Sequence, residues 1–432
     1  MKLYNFLLSK MLTYGNKIAF ANSNITYRKL IKIVKEQSKK YKEKGKLIYT
    51  TKNEKEKQAI EILSILASKN VCVPIIDKYG IKQKQYVVDL IGDDKNTYED
   101  LAFIMFTSGT TSTSKGVMLT DENIINNILG NNNCLNISSE ENILIIRPLV
   151  HISALVSELL FALYKGLTIH FYEDTLVPRK INQYINENNI TMLGSTPTMF
   201  NMFLKTKCNL KLLKHAIISG EKLSRELAVS LINNYPHINF YNVYGMTENS
   251  PRATCLNNND FNVFIGSVGK PLIHTDIKII DNEICIKSKS IMKGYYKNKE
   301  LTNKKIIDGY YHTGDAGYFN EYGYLYVLGR IDNMIIKSGV NIYPEEIENE
   351  VRKYENVKDC LVYKITDEND LENIGLKVVG DVSISKLLKH LCLSLPSIMV
   401  PSKITIVDKL DKTPSGKLKR WKRLSLILLT IT

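Results

Sequence analysis

The sequence is short of the features that mark several large protein classes. Its seven cysteines (Cys72, Cys134, Cys208, Cys255, Cys285, Cys360 and Cys392) lie far apart, and no two form a CxxC pair. That argues against a zinc ribbon or a CxxC redox motif and leaves scattered core thiols as the expectation. An odd cysteine count with no secretion signal points to a reducing cytoplasm. Long apolar runs are also missing. The opening MKLYNFLLSKM is interrupted by Lys10 and followed by no small-residue cleavage site, so it does not read as a signal peptide. The closing LSLILLTIT is too short to span a membrane and is expected to pack onto the body as a last strand or helix. There is no internal repeat and no long low-complexity linker. The net charge is +14 and the pI about 9.1, yet no basic block alternates with aromatics and Asp and Glu interleave the lysines throughout. A nucleic-acid partner is therefore not expected, whereas a positive field suits anionic small molecules such as nucleotides.

What is present fits a globular chain of two or three domains: 432 residues, 44% hydrophobic and 24% charged. KLIYT (46–50), EKEKQAIEILSILASK (54–69) and VCVPII (71–76) read as strand, helix and strand, which implies a parallel sheet with a right-handed crossover. LAFIMF (101–106) is a further buried strand. TIHFY (168–172), AIISG (216–220) and INFYNVYG (238–245) read as strands separated by helical patterns. From about 265 to 330, short strands and turns dominate, with DIKIIDNEICIKS turning at Asp281–Asn282. Beyond Asp332, helices and strands alternate in what reads as a small α+β unit. The expected fold class is α/β. A large N-terminal domain (1–331) of parallel and mixed sheets carries a β-rich module at about 265–330, and a small C-terminal α+β domain (332–432) follows.

Residues 106–116, FTSGTTSTSKG, consist of Ser, Thr and Gly apart from Phe106 and Lys115. Such a run reads either as a flexible polar linker or as a loop whose amides and hydroxyls wrap a phosphate chain. It is not a Walker A loop, because Ser114 stands where that motif has a glycine before its lysine. Its flanks favour the phosphate loop. LAFIMF precedes it, and LTDENIINNI follows with Thr and Asp in the manner of a helix N-cap, so the segment reads as strand, polar loop and helix.

Four further stretches accompany it in order: VYGMTE (243–248), GYYHTGD (309–315), GYLYVLGRIDNMIIKSGVNIYPEEIE (323–348) and KTPSGKLKR (412–420). Together with the loop they resemble the signature stretches of the adenylate-forming superfamily, which comprises acyl- and aryl-CoA synthetases, carrier-protein adenylation domains and luciferase-like enzymes. The resemblance covers about residues 15 to 425. It implies a two-step reaction with ATP and Mg2+. A carboxylate attacks the α-phosphorus and releases pyrophosphate, and a thiol of coenzyme A or of a carrier's phosphopantetheine arm then takes the acyl group.

The resemblance also implies residue roles. Thr107, Ser108, Gly109, Thr110 and Thr111 would wrap the β- and γ-phosphates with Lys115 beside them. Gly220 and Glu221 would line the adenine site, Tyr244 would lie against the adenine face, and Gly245 beside it would belong to the same ATP-binding set. Thr247 would contact the α-phosphate and Glu248 would hold Mg2+. Asp315 would take the ribose hydroxyls with Arg330 as its companion; an ordinary Asp–Arg ion pair uses the same atoms. Asp332 matches the hinge of the final domain. Lys417, on a Pro–Ser–Gly turn, matches the cation that bridges substrate carboxylate and α-phosphate, although a turn lysine is otherwise usually just solvated. His151 in RPLVHIS resembles a histidine of the CoA-ligase branch, against the alternative of a hydrogen-bonded core histidine.

Two departures stand out. Ser112 and Ser114 replace a glycine and a proline usual in the loop, and the chain from 77 to 101 is shorter by roughly one βαβ unit. GSTPTMF (194–200) and NSPRAT (249–254) are expected to border the acyl pocket, where Arg252 either pairs with a second substrate carboxylate or is structural. An acyl- or aryl-CoA ligase is the first reading. A ligase loading a carrier protein, in the manner of a D-alanine ligase, is the second. A nucleotide-binding homologue without catalysis is the third.

Overall fold

The computed structural model describes residues 1–76, 81–92, 94–107, 115–366 and 371–411. These form five sheets. The largest has nine strands, in the order Lys270–Pro271, Arg252–Leu256, Asn239–Gly245, His215–Ile218, Met192–Ser195, Asn142–Ile145, Thr168–Phe171, Ile18–Phe20 and Ile25–Thr26. Its six inner strands, from Asn239–Gly245 to Ile18–Phe20, are parallel. Both faces are buried, as parallel sheets require. Alternation along one strand sends Ile143 and Ile145 into one core and Leu144 and Ile146 into the other. The first of these cores also takes Phe103 and Met105 from a second, five-stranded sheet, with Ile124 and Ile128 of the helix Asp121–Cys134 between the two sheets.

The second sheet runs Gly294–Tyr295, Lys115–Thr120, Leu101–Thr107, Val71–Val73 and Leu47–Tyr49. The last two strand pairs are parallel, joined by the helices Lys55–Ala67 and Ile81–Gly92. Here the expected order of strand, polar loop and helix needs correction. The polar run joins two antiparallel strands, with Thr107 opposite Lys115, and the helix begins only after the second. The reason lies in KGVMLT, whose Val117 and Leu119 are fully buried on one face in the two-residue period of a strand. Thr120 then caps the helix: its Oγ1 accepts from Asn123 N at 3.1 Å while Asn123 Oδ1 accepts from Thr120 N at 2.9 Å.

A third, antiparallel sheet contains Thr275–Ile280, Glu283–Ser288, Tyr310–Phe319, Ile306–Ile307 and Leu325–Arg330. Its first hairpin turns at Asp281 and Asn282, both in the left-handed region at φ 49° and 65°. After residue 334 come the hairpin Ile335–Lys337 with Val340–Ile342 and the helix Pro344–Lys353. A three-stranded sheet of Val357–Thr366, Glu372–Gly380 and Lys403–Ile406 follows, with the helix Ile384–Ser394 packed on it. Ile335, Ile347, Val351, Leu376 and Leu387 make a core of their own here. This part touches the body through the ion pair of Lys353 with Glu226 at 3.0 Å.

The expectation of scattered thiols fails at two positions, and with it the cysteine argument for a reducing compartment. Cys134, at the end of the helix Asp121–Cys134, and Cys255, near the end of the edge-ward strand Arg252–Leu256, form a disulfide across 121 residues. Sequence spacing could not reveal it, because the helix and the strand meet only in the fold. Cys72, Cys208, Cys285 and Cys360 are buried outside this disulfide, and Cys392 is exposed. Among the described residues no helix is long and apolar enough to cross a membrane. LSLILLTIT and KTPSGKLKR lie outside them.

Candidate active site

Thr107 and Lys115 face each other at the mouth of the polar run. Ser108, Gly109, Thr110 and Thr111 lie outside the described residues, as do Ser112 and Ser114. Lys115 Nζ sits 5.7 Å from the ring centroid of Tyr295, a cation–π contact. Tyr295 belongs to the short strand that pairs with Lys115–Thr120. Its hydroxyl donates to Glu248 Oε1 at 2.8 Å and lies 3.2 Å from the Tyr311 hydroxyl. Burial, reinforced by the Glu248 charge, pushes both phenols up, so they remain protonated and donate. Tyr295 thereby connects the lysine of the phosphate-loop flank with the carboxylate of the VYGMTE stretch.

Glu248 is held by its backbone as well. It lies in the 3-10 turn Thr247–Asn249, and its carbonyl accepts from Met292 N at 2.8 Å. Asn127 Nδ2 anchors the same turn from the helix behind it, donating to Asn249 O at 3.0 Å. The approach to this turn requires glycine. A Cβ on Gly245 would lie 2.0 Å from the carbonyl oxygen of Pro251, where the returning strand closes on it.

The second group is Tyr244, Asp315 and Arg330. Asp315 and Arg330 are cross-strand neighbours. Asp315 Oδ1 accepts from Arg330 Nη1 at 3.0 Å, and Oδ2 accepts from the Tyr244 hydroxyl at 2.6 Å. Arg330 Nη1 also donates to Thr313 O at 2.8 Å, while Nη2 is 3.6 Å from Asp332 Oδ2. The HTGD stretch is braced from the neighbouring strand: Glu283 Oε1 accepts from Gly314 N at 2.6 Å, and Oε2 lies 2.8 Å from His312 Nδ1. Cys285 Sγ is 3.5 Å from the same nitrogen. Both Glu283 oxygens are engaged, so this trio holds the strand segment that presents Asp315. Gly314 has φ +76°, and a Cβ there would approach Arg330 Nη2 to 2.7 Å.

The remaining candidates are placed separately. Gly220 (φ +89°) and Glu221 are exposed, just past the strand His215–Ile218. Glu221 Oε2 accepts from Thr198 N at 3.1 Å and Thr198 Oγ1 at 2.6 Å, so it caps the helix Pro197–Lys205. His151 is half-buried at the entrance to a π-helical segment, Ser153–Leu160, and its carbonyl accepts from Leu155 N at 3.0 Å. Lys417 lies outside the described residues.

The donor set suits a magnesium nucleotide. A carboxylate aimed by a phenol, a lysine beside it and a second carboxylate with lone pairs to spare are the groups that a metal-bound triphosphate and a ribose diol need. Residues 16–296 match the AMP-binding enzyme family, and residues 346–417 match the AMP-binding enzyme C-terminal domain. The chain belongs to the AMP-binding enzymes. Its curated relatives place it in their CoA-ligase branch. It is 33% identical over 326 residues to a 2-succinylbenzoate–CoA ligase of Listeria monocytogenes, covering 74% of this chain and 69% of that protein. A feruloyl-CoA synthase of Amycolatopsis is 30% identical over 340 residues, covering 74% and 68%. The fold superposes on the Bacillus subtilis o-succinylbenzoate CoA synthetase in complex with ATP and magnesium ion. The TM-score is 0.85 at 22% identity, over 96% of this chain and 98% of that one.

In this AMP-binding enzyme, sequence reasoning missed Tyr295, Tyr311 and Glu283. The two tyrosines come from a GYY triplet that occurs twice, at 294–296 and 309–311, and that repetition was the available signal. Glu283 had none, because its partners are 29 and 31 residues away on another strand.

Proposed function

We propose that this chain is an ATP-dependent acid–thiol ligase of the AMP-forming class, with coenzyme A as the acceptor. The observation that carries the proposal is the line of contacts from Lys115 through Tyr295 to Glu248, in a chain that belongs to the AMP-binding enzymes. In the first half-reaction the substrate carboxylate attacks the α-phosphorus of ATP, the bond to the bridging oxygen breaks, and pyrophosphate leaves. In the second, the CoA thiol adds to the acyl carbonyl, AMP leaves and a proton is released. Mg2+ bound at Glu248 supplies charge neutralisation on the phosphates.

The chain's own groups take the following parts. Thr107 to Thr111 and Lys115 hold the β- and γ-phosphates, and Thr247 holds the α-phosphate. Tyr244 lies against the nucleoside, with Gly220 and Glu221 beside the adenine. Asp315 accepts from the ribose hydroxyls while Arg330 fixes its orientation. Lys417 stabilises the charge that builds between carboxylate and α-phosphate, and His151 borders the acid. Asp332 is the hinge about which 332–432 turns against 1–331 between the two half-reactions. The acceptor is CoA because the relatives are named as CoA ligases; a carrier protein has no such support. The enzyme works in the cytoplasm, where both ATP and CoA are present.

The test is ATP–pyrophosphate exchange by the purified chain across fatty, aromatic, dicarboxylic and amino acids, followed by thioester detection with CoA. Exchange with one acid class, and transfer to CoA, is expected. AMP binding without exchange on any acid would instead identify a non-catalytic nucleotide-binding homologue.

A further inference from the structure

Beneath the expected acyl pocket lies a buried charge cluster that the reaction as described does not use. Arg147, two residues past the strand Asn142–Ile145, directs Nη2 at Glu158 Oε1 and Nη1 at Ser219 Oγ, the latter at 3.3 Å. Ser219 directly precedes Gly220. Arg252, in the NSPRAT stretch four residues beyond Glu248, is only 6% exposed, and its Nη1 donates to the amide oxygen of Asn131 at 3.1 Å. Glu158 is 1% exposed, and its Oε2 has no hydrogen-bond partner among the described residues; nor has Arg147 Nε. No carboxylate among the described residues forms an ion pair with Arg252, so two guanidiniums share one carboxylate. The formal charge of the cluster is therefore +1, in a place that excludes most solvent.

Its construction is specific. Glu158 belongs to the π-helical segment, whose wider turn differs from the α-helix that follows it. Gly194 makes room for the ion pair. A Cβ there would stand 2.5 Å from Glu158 Oε1 and 3.4 Å from Arg147 Nη2. Both pocket-bordering stretches, GSTPTMF and NSPRAT, thus meet at the same charges. A buried cationic excess is costly unless an anion completes it, and the described protein supplies only half of the acid needed.

We propose that Arg147 and Arg252, arranged around Glu158, form an anion subsite at the far end of the acid pocket. It selects acids that carry a second carboxylate besides the one activated by ATP. The inference rests on the ligase reading above and names its substrate class. The guanidinium of Arg147 takes the distal carboxylate with Ser219 as a second donor. Glu158 and Asn131 hold the two arginines apart and in place.

The test compares succinate, glutarate and phthalate with butyrate, valerate and benzoate, in wild type, Arg147→Met and Arg147→Lys. Pyrophosphate release gives kcat/KM, and thermal shift without ATP gives direct acid binding. The wild type is expected to prefer one diacid over its monoacid counterpart at least about tenfold. Arg147→Met is expected to lower that diacid's kcat/KM at least about tenfold more than the monoacid's, chiefly through KM, and Arg147→Lys to recover part of it. Equal or better turnover of monoacids by the wild type overturns the subsite and leaves the ligase reading standing. Stabilisation of the wild type by a diacid, lost in Arg147→Met but without pyrophosphate release, supports the subsite while the ligase reading fails. No stabilisation by any diacid overturns the subsite directly.

Discussion

Replacing Asp315 by asparagine tests the nucleotide site at its most sharply defined point. An ionised carboxylate offers about four lone-pair positions. In the fold two are taken, one by the Tyr244 hydroxyl at 2.6 Å and one by Arg330 Nη1 at 3.0 Å. Two remain, matching the two hydroxyls of a ribose. The amide of asparagine has a single acceptor oxygen. Arg330 can only donate and keeps its claim on that oxygen, while the amide NH2 turns to Tyr244. One uncharged acceptor position is then left for the ribose. The loss is one charge-assisted hydrogen bond and the charge assistance of another. That amounts to about 2–3 kcal/mol, or roughly 30- to 150-fold in affinity. Calorimetric titration with AMP reads this directly, and 2′-deoxy-AMP sharpens it. The deoxy penalty seen in the wild type is expected to shrink in Asp315→Asn, because the partner of that hydroxyl is already weakened. AMP affinities within about twofold of each other, or equal deoxy penalties in the two proteins, would refute the assignment.

Three further outcomes are expected. Gly245→Ala places a methyl 2.0 Å from a backbone oxygen that no rotamer change can move, so the urea midpoint is expected to fall by the equivalent of about 3 kcal/mol at unchanged m; a loss under about 0.5 kcal/mol refutes the packing argument. Burial holds His170 neutral and lowers its pKa to about 4, so the unfolded chain binds more protons between pH 4 and 6.5 and stability rises with pH through that window. His170→Leu is expected to remove about 2 kcal/mol from the stability difference between pH 4.5 and pH 7, and an undiminished difference counts against it. Lys417→Ala is expected to abolish adenylate formation yet spare thioester formation from supplied acyl-adenylate; normal pyrophosphate exchange in that variant removes Lys417 from the mechanism.

Much of the architecture was legible because its signals are local. VCV and LAFIMF are apolar runs of strand length, and Asp281–Asn282 pairs two residues that tolerate positive φ. The VYGMTE and HTGD stretches were legible as motifs, and the fold brings Tyr244 and Asp315 together from 71 residues apart. The strand Lys115–Thr120 was hidden because Thr120 and Asp121 signal a helix start strongly enough to obscure the strand that leads into them. Glu221 was expected to line the adenine site, and in the fold its carboxylate caps a neighbouring helix, a contact across 23 residues. The Tyr295–Glu248 bond joins a strand to a 3-10 turn, the Glu283 brace joins two strands of one sheet, and the Cys134–Cys255 link joins a helix to a strand, across 47, 31 and 121 residues. Hydrophobic periodicity reports which face of an element is buried, not which element lies against it.

The residues proposed to meet the nucleotide come from three different sheets. Lys115 belongs to the five-stranded mixed sheet, Tyr244 to the nine-stranded one, and Asp315 to the antiparallel one. Tyr295 and Tyr244 reach from one sheet toward the next, so the site exists only while all three are docked. By linkage, a bound nucleotide stabilises that docking by as much as undocking would weaken its binding. AMP should then slow proteolysis at the seams between the sheets more than within any one of them, and no fragment carrying a single sheet should retain nucleotide affinity.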